Sequence, residues 1–375
     1  MIKPYTAVGL IPAVHGIRKR ADIMNNVEHI THLVKAAAWL SSLDIPVRLI
    51  ILPEGALQGF NDEVLDLDHV TFARECAIDI PGPETEALGK IARQYDSYIM
   101  AQAKAHHPDF KDRFFNVGFI LDPQGEVILK HYKVAPLYPV EHSVCPHDVY
   151  DWWIKKYGRN LDAFWPVADT DIGRLGIMMA NEGSYPENAR ALAMNGAEVV
   201  YRASYPHPAT GNEIFEISSR ARALDNNFYV VAPNTGTYYL FPEETMPIDT
   251  FGGRSFIIDY RGQIVGKQLY GGTSTYVAGT IDIEALRDFR ERAQWGNYLK
   301  DVRTELYQML YEKPIYPKNL YLKRKPYTHA EYRERVNRKQ VKLMQDRGIW
   351  AKPGRDGAAS ERGTVRRKRD SRVVS

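Results

Sequence analysis

Along the first 290 residues, short continuous apolar runs alternate with segments whose apolar residues recur at helical spacing. "YTAVGLIPAV", from residue 5, reads as a strand, and "DIMNNVEHITHLVKAAAWLSSL" as a helix over 22–43. "VRLIILPEGALQGF" follows; its "LIIL" is unbroken by polar residues, as in a parallel strand buried on both faces. "ETEALGKIARQYDS" predicts an amphipathic helix and "YIMAQAKA" the next strand. "FFNVGFILDPQGEVILKHYKV" is strand, turn, strand, and so a hairpin. Residues 143–170 read as an irregular insertion with two adjacent tryptophans. "GRLGIMMANEGSYPENARALAMNGAEVV", 173–200, is a buried strand, a tight turn, a helix and a second strand. "ATGNEIFEISSRARALDNN" predicts a helix and "FYVVAPNTG" a strand. "GGRSFIIDYRGQIVGKQ" is a second hairpin, and "STYVAGTIDIEALRDFRE" a strand leading to a helix capped near Asp282. Alternation of this kind, with hairpins added, points to a mixed α/β fold with helices covering sheets. No internal repeat holds residue by residue.

From about Lys313 the pattern changes. The segment through Pro353 is rich in tyrosine and arginine with scattered prolines, and cannot form its own core. It reads as an extension that wraps a neighbouring subunit or the domain surface. The end, with "RRKR" at 366–369, is polar and charged and reads as disordered. A solvated tail is the plain reading; an anionic surface is the other. The division is therefore 1–300, 301–352 and 353–375.

Composition narrows the function class. The 375 residues are 44% hydrophobic and 25% charged, which suits a globular protein with a sizeable core. A net charge of +3 does not point to nucleic acid. Two cysteines, Cys76 and Cys145, are too few for a disulfide scaffold, so a reducing cytoplasm is expected. No apolar run is long enough for a membrane span, and no secretory signal is evident at the start.

Three positions close predicted strands: Glu54 after "LIILP", Lys133 after the hairpin, and Ala180 after "RLGIMM". Strand ends converging on one sheet edge are where α/β proteins place sites. A carboxylate and an amine brought together there shift each other's pKa and can move protons.

These pieces, in this order, resemble the nitrilase superfamily of carbon–nitrogen hydrolases. The resemblance runs from about residue 5 to 290 through "LPEGALQGF", "FFNVGFILDPQGEVILKHYK", the 173–200 stretch, "RARALDNNFYVVAPNTG", "GGRSFIIDYRGQIVG" and "GTIDIEAL". It implies an α-β-β-α four-layer sandwich, homodimers or larger homo-oligomers, and a Glu–Lys–Cys triad acting on a small amide or nitrile without cofactor. Glu54 would be the base and Lys133 the cation that stabilises the tetrahedral intermediate. "ANEGSYPE" and "YKVAPLYPVEHS" are similar to the aliphatic amidase and formamidase branch, which implies an assisting carboxylate at Glu141. The same resemblance implies substrate contacts from Asn181, Glu182, Tyr201, Arg202 and Tyr205. Arg202 could instead serve a structural salt bridge.

The family's cysteine position is Ala180, which carries no nucleophile. Three readings follow. One is deliberate replacement of a cysteine to trap substrate. A natural enzyme could work by another route, with water activated by Glu54, or with Ser184 or Cys145 attacking. A non-catalytic protein could keep the fold for binding or assembly. Ser184 reads better as a helix cap, and Cys145 as a buried free thiol. Glu187 reads as a first-turn acid facing the helix dipole, and Asn116 and Asn234 as loop anchors. His106 and His107 read as a loop pair without the spacing of a metal site, so no metal is expected.

Overall fold

The computed structural model describes residues 1–204, 213–250 and 253–354. Two six-stranded sheets lie face to face. In spatial order the first sheet runs Thr275–Ile281, Tyr5–Ile11, Val47–Ile51, Tyr98–His107, Phe110–Leu121, Val127–Tyr132. The second runs Ile264–Gln268, Ser255–Ile258, Tyr229–Ala232, Val199–Tyr201, Gly173–Ile177, Val167–Thr170. Three neighbouring strands are parallel in each sheet, and the rest of each ladder is antiparallel.

The alternation of side chains along each strand builds three apolar layers. Leu49, Ile51, Met100, Ile120, Leu175, Ile177, Val199, Val231 and Ile257 meet between the sheets. Each such fully buried side chain contributes about 1.5–3 kcal/mol of transfer free energy. The opposite face of the first sheet is covered by the helices Ile23–Ser41 and Pro83–Tyr95. Ile23, Val27, Ile30 and Val34, spaced four, three and four apart, form one buried stripe of the first helix. The helices Pro186–Met194 and Ile214–Asn226 cover the second sheet. The result is the helix–sheet–sheet–helix order expected from the sequence.

Three expectations need correction. The 143–170 insertion is not irregular throughout: it holds a 3-10 turn at Pro146–Val149, a helix at Tyr150–Tyr157 and a strand at Val167–Thr170. The helix is too short for its period to be read, and Trp153 anchors it by packing on Tyr132 and donating to the Ala163 carbonyl at 2.8 Å. His106 and His107 close a strand rather than occupying a loop. Ser184 does not cap the helix that follows: Tyr185 holds the N-cap position, without a side-chain cap bond.

The C-terminal segment lies along its own chain. Tyr321 is buried and its backbone N–H donates to the Asp148 carbonyl at 3.1 Å. Asn319 and Lys318 both bond Asp151, and Lys325 pairs with Asp68 at 2.7 Å. Tyr138, Tyr316, Tyr321 and Tyr332 form an aromatic cluster that joins the segment to the 138–151 region. Among the described residues, no helix is long and apolar enough to cross a membrane. Tyr205 and the "RRKR" stretch lie outside the described residues.

Candidate active site

The inner face of the first sheet changes character along its strands. Met100, Ile120 and Leu129 belong to the apolar layer between the sheets. Two and four residues further along the alternation come Gln102 and Lys104, Asn116 and Gly118, His131 and Lys133. The same face is thus apolar at one end and polar at the other. Polar groups at such depth require partners, and the partners build the site.

Glu54 follows the strand Val47–Ile51 and is buried. The chain turns directly after it at Gly55, whose φ is +75°. A Cβ there would overlap the Phe60 ring, so glycine is required by space as well as by backbone angle. The Gly55 N–H donates to Gln102 Oε1 at 2.9 Å, and Thr235 Oγ1 donates to the Glu54 carbonyl at 3.1 Å. Both bonds fix the turn that presents the Glu54 carboxylate.

Lys133 lies just beyond its strand, where its N–H still bonds the Asn116 carbonyl at 2.9 Å. Its Nζ is 2.8 Å from Glu54 Oε1 and 2.7 Å from Glu141 Oε2. All three side chains are buried. Burial alone works against the Lys133 charge, but Glu141 and Glu54 outweigh it and hold the ammonium well above its ordinary pKa. Burial likewise opposes ionised Glu141, yet Lys133, Ser143 and Asn116 pull its carboxyl down to about 2. The lysine is therefore a permanent cation between two carboxylates.

Asn116 completes the group. Its Nδ2 donates to Glu54 Oε1 and to Glu141 Oε1, each at 2.9 Å, and its Oδ1 accepts from Gln102 Nε2 at 2.7 Å. Ser143 Oγ and the Leu137 N–H also donate to Glu141, at 2.6 and 3.0 Å. Asn116 was read from sequence as a loop anchor; it sits instead inside a strand and bridges both carboxylates. Its signal was a lone amide at an inward position of an otherwise apolar run, "FFNVGFIL".

Next to this group is a second buried cation that the sequence reading missed. Lys104 pairs with Asp62 and, at 2.9 Å, with Glu63. Burial, only partly opposed by Lys104, raises the Glu63 carboxyl to about 8.

Position 180 lies at the tip of the turn between the strand Gly173–Ile177 and the helix Pro186–Met194. Ala180 has φ +39°, a left-handed conformation that costs an L-residue about 1–2 kcal/mol. Strain of this kind at a strand-to-helix turn lifts one side chain clear of the sheet. The turn is tied to the segment after Lys133. Glu182 Oε1 accepts from the Val134 N–H at 2.6 Å, and Asn181 Nδ2 donates to the Ala135 and Pro136 carbonyls at 3.2 and 3.3 Å.

Comparison with known proteins fixes the family. The family model for carbon–nitrogen hydrolases matches residues 7–291. The chain belongs to the carbon–nitrogen hydrolase family. A formamidase of Bacillus cereus is 28% identical over 281 residues, covering 72% of this chain and 76% of that protein. The fold matches a carbon–nitrogen hydrolase from Helicobacter pylori with TM-score 0.60 at 19% identity, over 83% of this chain and 99% of the other. It also matches a cysteine-to-alanine mutant of a Nesterenkonia amidase of the nitrilase superfamily, with TM-score 0.59 at 17% identity, over 82% and 97%. The chain is thus a carbon–nitrogen hydrolase by family, with formamidases among the proteins it resembles.

Within this family frame the remaining sequence candidates divide. Glu182 is fully buried, and its carboxylate is taken up by His131 Nε2 at 3.0 Å and by the Val134 and Met179 N–H groups at 2.6 and 2.7 Å. It is a brace between the turn and the Lys133 segment. Asn181 is half-buried and bonded to the same segment. Arg202 is buried under the Phe215 ring and donates to the Phe215 carbonyl at 3.1 Å and to Ser219 Oγ. No carboxylate partner among the described residues balances its burial, which lowers its pKa to about 9. Among the described residues, carbonyl and hydroxyl contacts take the place of a structural salt bridge. Tyr201 is fully buried, with a hydroxyl that has no hydrogen-bond partner; burial first, and then the charge of Glu54, keep it protonated. Cys145 is buried at the N-cap of the 3-10 turn Pro146–Val149, where burial and Asp148 hold its thiol well above the ordinary range. A thiol so held is not a nucleophile. Ser184 is exposed at the far end of the 3-10 turn Ala180–Ser184. Glu187 is in the first turn of its helix and accepts from the Tyr311 hydroxyl at 2.6 Å.

Proposed function

We propose that this site is built to hydrolyse a small amide, with Glu54 as general base, Lys133 as the cation facing the oxyanion, and Glu141 holding Lys133 in place. The observation that carries this reading is Lys133 Nζ fixed at 2.8 and 2.7 Å between Glu54 and Glu141. Asn116 and Lys133 both engage Glu54 through Oε1, which leaves Oε2 outside these bonds to receive a proton. A buried, permanent ammonium has the charge that a tetrahedral oxyanion needs, and the backbone N–H after position 180 adds a dipole. Formamide and short aliphatic amides are the substrate class, on the strength of the formamidase relatives; nitriles are the second.

With Ala180 at the tip of the turn, the covalent route has no thiolate. Cys145 and Ser184 do not replace it, for the reasons of burial and position given above. The chain then binds amide and turns it over at most slowly, through water activated by Glu54. Whether alanine arose by replacement or by descent, the supporting machinery is the same. Ammonia release from a panel of amides and nitriles, measured on this chain and on Ala180→Cys side by side, tests the reading. Turnover by the variant alone supports it. Equal turnover by both refutes the cysteine position, and turnover by neither favours the rival in which the fold serves binding or assembly.

A further inference from the structure

We propose that Asp66, His142 and His329 form a binding site for a divalent transition-metal ion of the zinc type, clasping the C-terminal segment to the loop that carries Glu141. The three side chains come from distant parts of the chain, yet one ligand atom of each lies within 4.8 Å of the other two. His142 Nε2 is 2.9 Å from Asp66 Oδ1, and His329 Nε2 is 3.8 Å from the same oxygen. Two ligands bound at about 2.0–2.1 Å in tetrahedral geometry stand roughly 3.3 Å apart, and these separations bracket that value.

The decisive detail is His142. It is 4% exposed, and among the described residues its Nε2 has no hydrogen-bond partner despite the nearby carboxylate. A buried nitrogen beside an oxygen, but not aligned to bond it, is an arrangement that a shared cation explains. Asp66 is also oriented from behind, since the His329 N–H lies 3.2 and 3.4 Å from its two oxygens. With a proton on Nε2, His329 donates to the Val140 carbonyl at 2.9 Å; ligation through that atom gives up this bond and puts the ring proton on Nδ1. Two imidazoles and one carboxylate suit zinc, cobalt or nickel rather than magnesium or calcium, and solvent supplies the remaining coordination.

No metal was expected from the sequence, because no Cys or His ladder at metal spacing accompanies His106 and His107. The clasp escapes such a search: its ligands are separated by 76 and 187 residues, as their numbers show, and meet only because the C-terminal segment folds back. It is distinct from the amide site, although His142 directly follows Glu141.

The test is a Co2+ titration of the full chain, followed by visible absorption and competed with Zn2+, on the parent and on His329→Ala and Asp66→Ala. Melting in chelator verifies that both variants fold. The expected result is one equivalent bound by the parent, and binding weakened more than about 100-fold by His329→Ala, beyond what losing a mere neighbour of a ligand costs. Zn2+ should raise the melting temperature of the parent and not of His329→Ala. Absence of binding by the parent, or binding that survives both substitutions, overturns the proposal.

Discussion

Replacing Lys133 by methionine removes the cation from a pair of buried carboxylates and keeps the length of the side chain. The structure sets the size of the loss. Lys133 and its neighbours hold Glu141 at about 2 against an ordinary 4.5, a depression worth about 3 kcal/mol. Removal of one partner from a buried ion pair typically costs about 3–5 kcal/mol, which agrees. The pH dependence is more diagnostic than the size. In the parent, Glu141 contributes stability that is fully present above pH 4.5 and lost as pH falls towards its folded value. In Lys133→Met, burial and the like charge of Glu54 raise the carboxyl instead. The native state then keeps a proton that the unfolded state has lost, so the deficit relative to the parent grows as pH rises above the ordinary carboxylate range. Equilibrium urea unfolding of both proteins at pH 5 and pH 8 reads this directly. A deficit below about 1 kcal/mol, or one equal at the two pH values, refutes the picture of a buried, ionised pair.

Three further outcomes follow from the same geometry. His69 and His107 are buried neutral rings, lowered to about 3 and about 4 from 6.5 chiefly by burial. Their unfolded forms take up protons first, so stability should fall by about 2 kcal/mol per ring between pH 7 and pH 5, and His69→Phe should flatten that slope in urea titrations. Gly183→Ala places a Cβ into the guanidinium of Arg202, which Phe215 and Ser219 hold in place; a loss of about 1–3 kcal/mol in chemical denaturation is expected. Glu182→Gln, in the Ala180→Cys background, should destabilise by about 3 kcal/mol while leaving KM for amide unchanged. A KM effect without a stability loss would return Glu182 to the substrate.

The layered fold was legible because buried parallel strands and amphipathic helices write different periods into the chain. "LIIL" became the strand Val47–Ile51, and Asp282 caps its helix by accepting from the Ala285 N–H at 2.9 Å. Glu54 and Lys133 were visible because they end strands. Asn116, Gln102 and Lys104 were not, because they lie within strands, where single polar residues are usually read as surface. Only the sheet pairing shows that they face inward at the same end. The bracing of the Lys133 segment by Glu182 was equally hidden: the residue stands beside position 180 in sequence, and its bond to the Val134 N–H spans 48 residues. Long-range closure, as between Asp66 and His329, leaves no local pattern at all.

The central claim is that the site lacks only its thiolate. Incubation of Ala180→Cys with a small amide, rapid acid quench, and peptide mass mapping tests it most directly. The account predicts an acyl group on the introduced thiol, formed as ammonia leaves, hydrolysed with time to the acid, and absent when Glu54→Gln is added. Ammonia release without any acyl adduct at position 180, or an adduct on Cys76 or Cys145 instead, would contradict it.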